Sequence, residues 1–529
     1  HSQGGGASRL SFKCNGTQLG ANSKSDMIDE VNSQYTHIVM TSSLKTFSLN
    51  NTDNFSYSIG LQYGGTLSVA RLDYITVNYL RQLKLVNGKL SFRYNASKPV
   101  ALCMDGATDN TMVWDVTDVK NIYAMNLTKT DDGVAFAPCA MGEREYVAFD
   151  TSVSLPTPEY VSVVKNQNVH GEQVPDMIII SPKEFVAQAR RVASLHETND
   201  GMRVLVLDSE TVYNEFSSGV PDAMSYRNLC KMFYDRGIDS EGHKLKYLLL
   251  FGRGTYDNRQ LTDVVRANSY PMLLTYQSEE SSNEYTSYTA DDLFVFLEDN
   301  AGGNIVNAKL SIAVGRMPVK SVEEARTVVD KLYKYVNGVD YGAWKSVATI
   351  VADDQNNSEH VRQAESVIKL YSENGAADMQ FNKIYIDAYD NASSGGSRVC
   401  QVGRDKLYKQ FDEGMMWLGY IGHANPTSWT GEHLLTWYDI NNFYNKRWPF
   451  LFAATCEFSR FDADAVSGGE IMYLNGTGGV IAELSATRIA YIPNNGTLND
   501  AIAKYAFSHD ADGKRYTIGE FVRRGKNDV

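Results

Sequence analysis

The sequence predicts an α/β protein in which a doubly wound α/β domain of two units follows an all-β sandwich domain. From residue 175 onward, continuous apolar runs such as residues 177–180 and 203–207 alternate with segments of helical spacing. Such runs are typical of parallel strands that are buried on both faces, with helices in the crossovers. Before residue 165, short alternating runs are separated by turn dipeptides, a pattern typical of an antiparallel sandwich.

The first predicted domain, residues 1–165, is assigned from the spacing of its strands and turns. Residues 72–80 and 89–94 alternate apolar and polar side chains, as half-buried strands do. Asn-Gly and Asp-Gly pairs, which are preferred in tight hairpin turns, begin at Asn87, Asp105 and Asp132. This spacing indicates a sandwich or a jelly roll.

The rest of the chain is predicted to form two α/β units, residues 166–342 and 343–529. Ser321, followed three residues later by Glu324, predicts a capping box at the start of a helix. The first unit is predicted to contain strands at 177–180, 203–207, 245–252 and 308–315. The second unit is predicted to contain strands at 347–352, 382–387, 415–421, 449–455 and 478–484, and helices at 359–373, 398–413, 437–446 and 497–507.

Composition narrows the classes of function. The net charge of −13 argues against a general nucleic-acid or anionic-membrane binder, because such surfaces need clustered Lys and Arg. No segment reaches the roughly 18–20 apolar residues that are needed to cross a bilayer. The six cysteines form no CxxC pair, which argues against a zinc ribbon or a redox site. Cys230 lies on the apolar stripe of a predicted helix, where burial is the expected role.

The carboxyl ends of two predicted strands carry the candidate chemistry. His423 follows strand 415–421, and Cys456 follows strand 449–455. Because ligands bind beyond the carboxyl ends of parallel strands, both side chains are expected at one edge of the sheet. An imidazole there can take the proton of the thiol, and the backbone amides of Ala424 and Cys456 are placed to bind the oxyanion. The residues alone leave open a packing role for the cysteine and a surface role for the histidine.

A resemblance supports the catalytic alternative. Gly-His at one strand end and Thr-Cys at the next, with His423 and Cys456 separated by 33 positions (456 − 423), resembles the gingipain-type cysteine peptidases of the caspase-like fold. The resemblance covers residues 65–529 and is most specific around Cys456. Further segments resemble one branch of the family, the sortases of the type IX secretion system: residues 72–75, 113–118, 213–219, 250–257, 439–442, 455–462 and 478–482.

The resemblance implies a secreted cysteine endopeptidase or transpeptidase at the bacterial cell surface or outer membrane. Cys456 would form the acyl-enzyme, and His423 would act as general base and then as general acid. The enzyme would remove C-terminal secretion signals from exported proteins and transfer the new carboxyl end to a surface glycolipid, a lipopolysaccharide. An outer-membrane barrel is an implied partner, whereas nucleic acid is not. A gingipain-like peptidase that only hydrolyses and a catalytically inactive binding relative remain as alternatives, with a glycan-binding module as a third.

The resemblance also implies a substrate pocket. In the family, an acidic residue before the last strand of the first unit lines the pocket for the residue that precedes the cut, and Asp291 occupies that place. A solvated acid at a strand start is the alternative. Trp429, in the turn after His423, is expected either to floor a pocket or simply to pack. Ala424 departs from the glycine that is usual in the family, and a positive φ there would displace the oxyanion donor.

No residue is predicted to bind a metal. His360 lies at a helix start after two aspartates, where a histidine in the capping turn is a better interpretation than a metal ligand. Relatives of the gingipain type bind calcium, yet the sequence has no acidic loop to which calcium can be assigned. Asp257 and Glu457 are candidates for the acid that would orient His423, although a structural or solvent role is the better interpretation of each.

Overall fold

The structure, a computed structural model, describes residues 74–278, 287–301, 305–389, 392–394 and 397–529. It also describes short segments nearer the start, at residues 2–3, 9–19, 23–24, 40–41, 46–48, 56–62 and 69–70. The chain divides into two compact units, one of Leu72–Asn166 and the other of His1–Arg71 with Gln167–Val529. The predicted domain boundaries after residues 165 and 342 stay a proposal.

The unit of residues 72–166 consists of two antiparallel sheets and one apolar core. The larger sheet contains, in spatial order, Tyr123–Ala124, Thr111–Asp115, Gly142–Asp150 and Lys89–Ala96. The smaller sheet contains Thr128–Lys129, Gly133–Phe136 and Leu102–Asp105. Alternate side chains, such as those of Leu90, Met104 and Tyr146, are buried in one cluster, as the pleat of half-buried strands requires.

One predicted strand in this unit is wrong. Residues 74–80, the described part of the run 72–80, form no strand, and Tyr79 and Leu80 are exposed. The alternation of apolar residues is present, but no neighbouring strand pairs with the run and no sheet face buries it. Periodicity predicts a strand only where tertiary structure supplies a partner.

Residues 1–71 contain short antiparallel strands in the described segments. The longest pair joins Arg9–Cys14 to Tyr57–Gln62. The others are Ser2–Gln3, Thr17–Gln18, Ser23–Lys24, Met40–Thr41 and Val69–Ala70.

The first α/β unit contains a four-stranded, all-parallel sheet. Its strands are β1 (Met177–Ser181), β2 (Val204–Asp208), β3 (Tyr247–Phe251) and β4 (Ala313–Met317), in the spatial order β2-β1-β3-β4. The central strand β1 is buried along its whole length, which explains its unbroken apolar sequence. The strand predicted at 308–315 begins later, at Ala313, because residues 308–310 belong to the preceding loop.

The second α/β unit contains a five-stranded, all-parallel sheet. Its strands are β5 (Val347–Ala352), β6 (Gln380–Tyr385), β7 (Trp417–Ile421), β8 (Phe450–Ala454) and β9 (Ala482–Ser485), in the order β6-β5-β7-β8-β9. The central strands β7 and β8 are buried on both faces. The two sheets with helical crossovers confirm the predicted doubly wound α/β class.

The helix predicted to begin after Ser321 has a side-chain cap. Ser321 accepts a hydrogen bond from the Glu324 amide, as predicted, whereas the Glu324 carboxylate accepts from the Lys320 amide. The helices are Val186–Asp200, Ser209–Phe216, Met224–Asp235, Asp263–Ala267, Val322–Asn337, Glu359–Glu373, Gln401–Glu413, Trp437–Asn441, Gly468–Leu474, Ile492–Ala506 and Ile518–Asn527. Among the described residues, none of these helices combines the length and the apolar character of a membrane span.

Candidate active site

His423 and Cys456 leave the sheet at the same edge. In the register of β7 and β8, Ile421 pairs with Ala454, and the two candidate residues each follow two positions later. Adjacent strands lie about 4.8 Å apart, and the Gly422 amide donates to the Ala454 carbonyl at 3.4 Å, so the chains are still side by side where they leave the sheet. The backbones of both residues therefore lie side by side at the edge of the sheet, as predicted from the strand ends.

The Cys456 thiol is partly exposed and held in a backbone cradle. Its Sγ lies 3.3 Å from the Ala490 carbonyl oxygen, to which it donates, and 3.4 Å from the Ala490 amide, from which it accepts. Glu457, the next residue, has a left-handed backbone with φ of 48°, and its amide donates to the Arg488 carbonyl. Arg488 is itself fixed by two hydrogen bonds to the buried Asp462, at 2.7 and 2.6 Å.

The backbone of His423 is fixed from three directions. Its amide donates to Oδ2 of Asp353 at 3.1 Å, and its carbonyl accepts from the Thr430 amide at 2.9 Å. The Tyr420 hydroxyl donates to the same carbonyl. Gly422 is required in this turn, because a Cβ there would lie 2.6 Å from the Cβ of Asp353. These contacts fix the backbone from which the imidazole projects.

The ring of His423 contacts a second histidine and an asparagine. The side-chain amide nitrogen of Asn356 lies 2.7 Å from Nε2 of His423 and 3.1 Å from Nε2 of His360. The two rings are perpendicular, with centroids 5.2 Å apart. Asn356 is held in this place by an unusual turn, since residues 356–358 all have positive φ, between 54° and 61°.

Asp353 completes the surroundings of the histidine pair. The side chain is fully buried and follows β5 directly, in the position next to His423. Burial raises the pKa of its carboxyl to about 6, against the opposing effect of hydrogen bonds from the amides of His423 and Asp354. Burial also lowers the pKa of His360 to about 4, and the nearby His423 acts in the same direction.

The catalytic candidates are both neutral at rest. Burial raises the pKa of the Cys456 thiol above its ordinary value, and the hydrogen bond from Ala490 only partly offsets this. Burial lowers the pKa of His423, with the carboxylate of Glu432 opposing. At neutral pH the site thus holds a thiol and a neutral imidazole, and the imidazole retains the lone pair that a general base needs.

Two backbone amides, those of Ala424 and Cys456, are not used to pair the strands. Because Thr430 donates to the His423 carbonyl, the facing residues Ala424 and Trp429 form a non-hydrogen-bonded pair, and the Ala424 amide points out of the hairpin. Ala424 has a negative φ, so the departure from glycine causes no backbone strain. Among the described residues, the Cys456 amide has no hydrogen-bond acceptor.

The structure places the two predicted pocket residues away from open solvent. Both oxygens of Asp291 accept from Arg316, at 2.8 and 2.7 Å, so its charge is already compensated. Trp429 is fully buried, stacked 4.1 Å from the Tyr420 ring and packed against Phe458. In these positions Trp429 supports the His423 hairpin and Asp291 fixes Arg316, while their roles toward substrate stay predictions.

The candidates for the orienting acid lie elsewhere. Asp257 accepts from the Thr262 amide at 2.7 Å, and Glu457 pairs with Arg460 at 2.9 Å. The residues that do contact His423, Asp353 and Asn356, were missed in the sequence. One signal was available: Asn356-Asn357-Ser358 consists of residue types that tolerate left-handed backbone and occur in functional turns.

One protein-family profile matches the part of the chain that contains both parallel sheets. The sequence profile of peptidase family C25 matches residues 170–529. No curated protein sequence matches the chain. The profile match includes both parallel sheets and all the residues described at this edge.

Solved structures give the same fold. The chain is similar to gingipain R (RgpB), an Arg-specific cysteine proteinase, with a TM-score of 0.50 and 16% identity, over 68% of this chain and 73% of that one. This likeness confirms the predicted gingipain-like fold. Dimeric latent PorU from Porphyromonas gingivalis matches with a TM-score of 0.49 and 26% identity, over 65% of this chain and 34% of PorU. The match thus spans about a third of the length of PorU.

Proposed function

The chain belongs to peptidase family C25, and on that premise we propose that it is a cysteine peptidase in which Cys456 is the nucleophile and His423 the general base. The observation that carries the proposal is the register of β7 and β8, which delivers both residues to one edge two positions after paired residues. Neighbouring strands of a parallel sheet place their following residues within reach of a common substrate.

The reaction begins with transfer of the thiol proton from Cys456 to His423. The thiolate attacks the scissile carbonyl carbon, and the amides of Ala424 and Cys456 bind the oxygen that becomes negative. When the C–N bond breaks, His423 returns its proton to the leaving amine, and the acyl group remains on sulfur as a thioester. Water or another acceptor then loses a proton to His423, attacks the thioester and releases the thiol.

Asn356 holds the imidazole of His423 in place. Its side-chain amide nitrogen lies 2.7 Å from Nε2 of His423 and 3.1 Å from Nε2 of His360, so the amide donates toward both rings. In the proposed reaction this contact keeps the His423 ring at the sheet edge, where the ring accepts the thiol proton.

We extend the proposal to the substrates. The enzyme cleaves exported proteins before their C-terminal secretion signals and transfers the new carboxyl end to a surface glycolipid, at the outer surface of a bacterium. The likeness to PorU in sequence segments on both sides of Cys456 supports this assignment. A peptidase that only hydrolyses is the alternative, and it differs solely in whether water or a bound acceptor reaches the thioester first.

A substrate-like probe tests the nucleophile. A peptidyl acyloxymethyl ketone is expected to label Cys456 and to spare Cys103 and Cys139, the two cysteines that are exposed. His423→Ala should abolish the label, because attack on the probe needs the proton acceptor. Equal labelling of Cys456 and the exposed cysteines, unchanged by His423→Ala, would refute the assignment.

A second experiment separates transfer from hydrolysis. An exported protein that carries its C-terminal signal is incubated with the full chain, with and without an added amine, and the new carboxyl end is read by mass spectrometry. The amine-linked end should dominate when the amine is present if the acyl-enzyme is open to acceptors. A free carboxyl end alone would favour the hydrolytic alternative, and tight binding without cleavage would favour the inactive relative.

A further inference from the structure

Asp353, His360 and His423 form a cluster that peptide cleavage does not fully use. One ligand-type atom from each of the three side chains lies within 4.8 Å of those of the other two. Their sources are three different elements: the end of β5, the first turn of helix Glu359–Glu373 and the end of β7. Two imidazoles and a carboxylate at this spacing are a set of ligands that divalent transition metals favour.

His360 has no part in the proposed peptidase reaction. Its side chain is 3% exposed, and its Nδ1 has no hydrogen-bond partner among the described residues. A buried imidazole normally has a partner on each nitrogen. An unpartnered nitrogen on a buried imidazole that belongs to a cluster of potential ligands indicates a group that is bound there at some stage.

Asp353 is a buried carboxylate without a cation. Its side chain has no exposed surface, and no ion pair among the described residues includes it. Each of its oxygens accepts one backbone amide, from Asp354 and from His423, which leaves lone pairs for a further bond. A buried charge is costly unless an opposite charge is near.

The neighbouring acids already have their counter-ion. Arg398 pairs with Asp354 at 2.6 Å and with Glu432 at 3.1 Å. Asp353, Asp354 and Glu432 also lie within 4.8 Å of one another, but the arginine offsets the charge of this acidic side. The negative charge of Asp353 therefore lacks a counter-charge on the side that faces the two histidines. Nitrogen ligands there select Zn²⁺, Co²⁺ or Ni²⁺ over Ca²⁺ and Mg²⁺, which prefer oxygen.

We propose that Asp353, His360 and His423 bind a divalent transition-metal ion of the Zn²⁺ type, and that the bound ion inhibits the peptidase by occupying the imidazole of His423. The inhibition rests on the proposed function, whereas the binding does not. The ligands must move closer than 4.8 Å, since Zn–N bonds are about 2.0–2.1 Å long. Asn356, which lies between the two rings, is the side chain that this closure displaces.

The binding experiment uses the full chain with Cys456→Ala, which removes the thiol as a ligand and requires no activity. Equilibrium dialysis against Zn²⁺ should show one bound ion, and Co²⁺ should give the visible absorption bands of a low-coordinate site. His360→Gln and His423→Ala should each weaken binding by about tenfold or more. His196→Gln is the matched control, because His196 is bonded to Asp200 on a helix far along the chain, and it should leave binding unchanged.

The outcomes separate the two proposals. No Zn²⁺ binding to Cys456→Ala, or binding that survives both His360→Gln and His423→Ala, overturns the site. His423→Ala keeps the test informative if His360→Gln does not fold, since His423 is partly exposed. In the enzyme with its thiol, Zn²⁺ should inhibit and a chelator should restore activity. Inhibition that is equally strong in His360→Gln would assign it to the thiol and overturn the inhibitory role.

Discussion

The carboxyl edges of the two parallel sheets have the same local sequence pattern, a strand followed by glycine and a basic residue. They differ in whether the side chain of that basic residue is paired with a carboxylate. In the first sheet, β3 is followed by Gly252 and Arg253; in the second, β7 is followed by Gly422 and His423. Arg253 is 1% exposed and donates to Glu470, to the Tyr270 hydroxyl and to two backbone carbonyls. His423 is partly exposed, and its ring contacts the side chains of Asn356 and His360.

This difference distinguishes a structural edge from the edge that we propose to be catalytic. The first edge pairs its charges, Arg253 with Glu470 and Arg316 with Asp291, so it fixes the packing of the first unit against residues of the second. The second edge leaves a thiol, two imidazoles and a buried carboxylate without ion pairs among the described residues. Sites that keep polar groups unsatisfied lose stability and are retained where chemistry needs them.

The largest expected effect comes from Cys456→Ala at the proposed catalytic edge. Peptidase activity should fall by about 10⁴-fold or more, because no other group can form the thioester. The free energy of unfolding should change by less than about 1 kcal/mol, since the thiol makes only weak contacts with Ala490. Peptide cleavage and urea unfolding measure the two quantities. A large loss of stability would show that this edge is structural as well.

Arg253→Met, at the structural edge, should instead lower the free energy of unfolding strongly. Loss of the guanidinium leaves Glu470 buried without a counter-charge, and breaking such a pair costs about 3–5 kcal/mol of unfolding free energy. Arg253→Met combined with Glu470→Gln should regain part of that loss, because the amide carries no charge and its oxygen can still cap helix Gly468–Leu474. If the single and double variants unfold alike in urea, the ion pair does not stabilise the first edge.

Asn356→Gly should lower kcat by about tenfold and leave KM unchanged, because orientation of the His423 ring acts on the chemical step. Glycine suits the φ of 61° at this position, so the change removes the amide without straining the turn. Asn357→Gly is the matched control, since Asn357 has a φ of 54° and its carbonyl accepts a hydrogen bond from Arg362. Equal effects of the two substitutions would place the cause in the backbone instead.

Small alkylating reagents should react slowly with Cys456 at rest. Because burial raises the pKa of this thiol, the reactive thiolate is scarcer at pH 7 than in an exposed cysteine. Labelling by iodoacetamide at pH 7 should therefore be several-fold slower at Cys456 than at Cys103. It should rise with pH through a midpoint above about 8.5, the ordinary thiol value. A midpoint below that value would instead indicate a preformed thiolate–imidazolium pair.

Ala424→Gly should have the smallest effect. The φ of Ala424 is negative, so glycine gives no conformation that alanine lacks, and kcat should stay within about twofold. Measured kinetics of this variant test whether the amide of Ala424 is already in place. A clear gain in rate would show that the alanine restrains the oxyanion site.

The predictions from sequence succeeded where they used local rules. The central strands of both parallel sheets were found from continuous apolar runs, because burial on both faces leaves no polar position. His423 and Cys456 were correctly placed at one edge of the sheet, because the strand-end rule needs only the order of elements along the chain. The helix Gly468–Leu474 was missed, since its seven residues give too short a pattern for helical periodicity.

The contacts around the site required the fold. Asp353 and His423 are 70 positions apart (423 − 353), and they meet because β5 is the spatial neighbour of β7. Asn356 reaches the ring only through a turn of three left-handed residues. Trp429 could not be assigned to packing from its position after His423, because whether an aromatic ring lines a pocket depends on what covers it.

By itself, the sequence determined the α/β class, the family resemblance and the strand ends that carry the thiol and the imidazole. Local patterns of apolar residues suffice for this, because they predict which strands are buried and in what order the strands follow along the chain. Only the tertiary structure decided that Arg253 pairs with Glu470 while His423 has no ion pair among the described residues, and that a second histidine and a buried aspartate adjoin the ring of His423. Pairing of charges depends on distances of a few ångströms between residues far apart in the chain, and those distances are set by the packing of strands and turns.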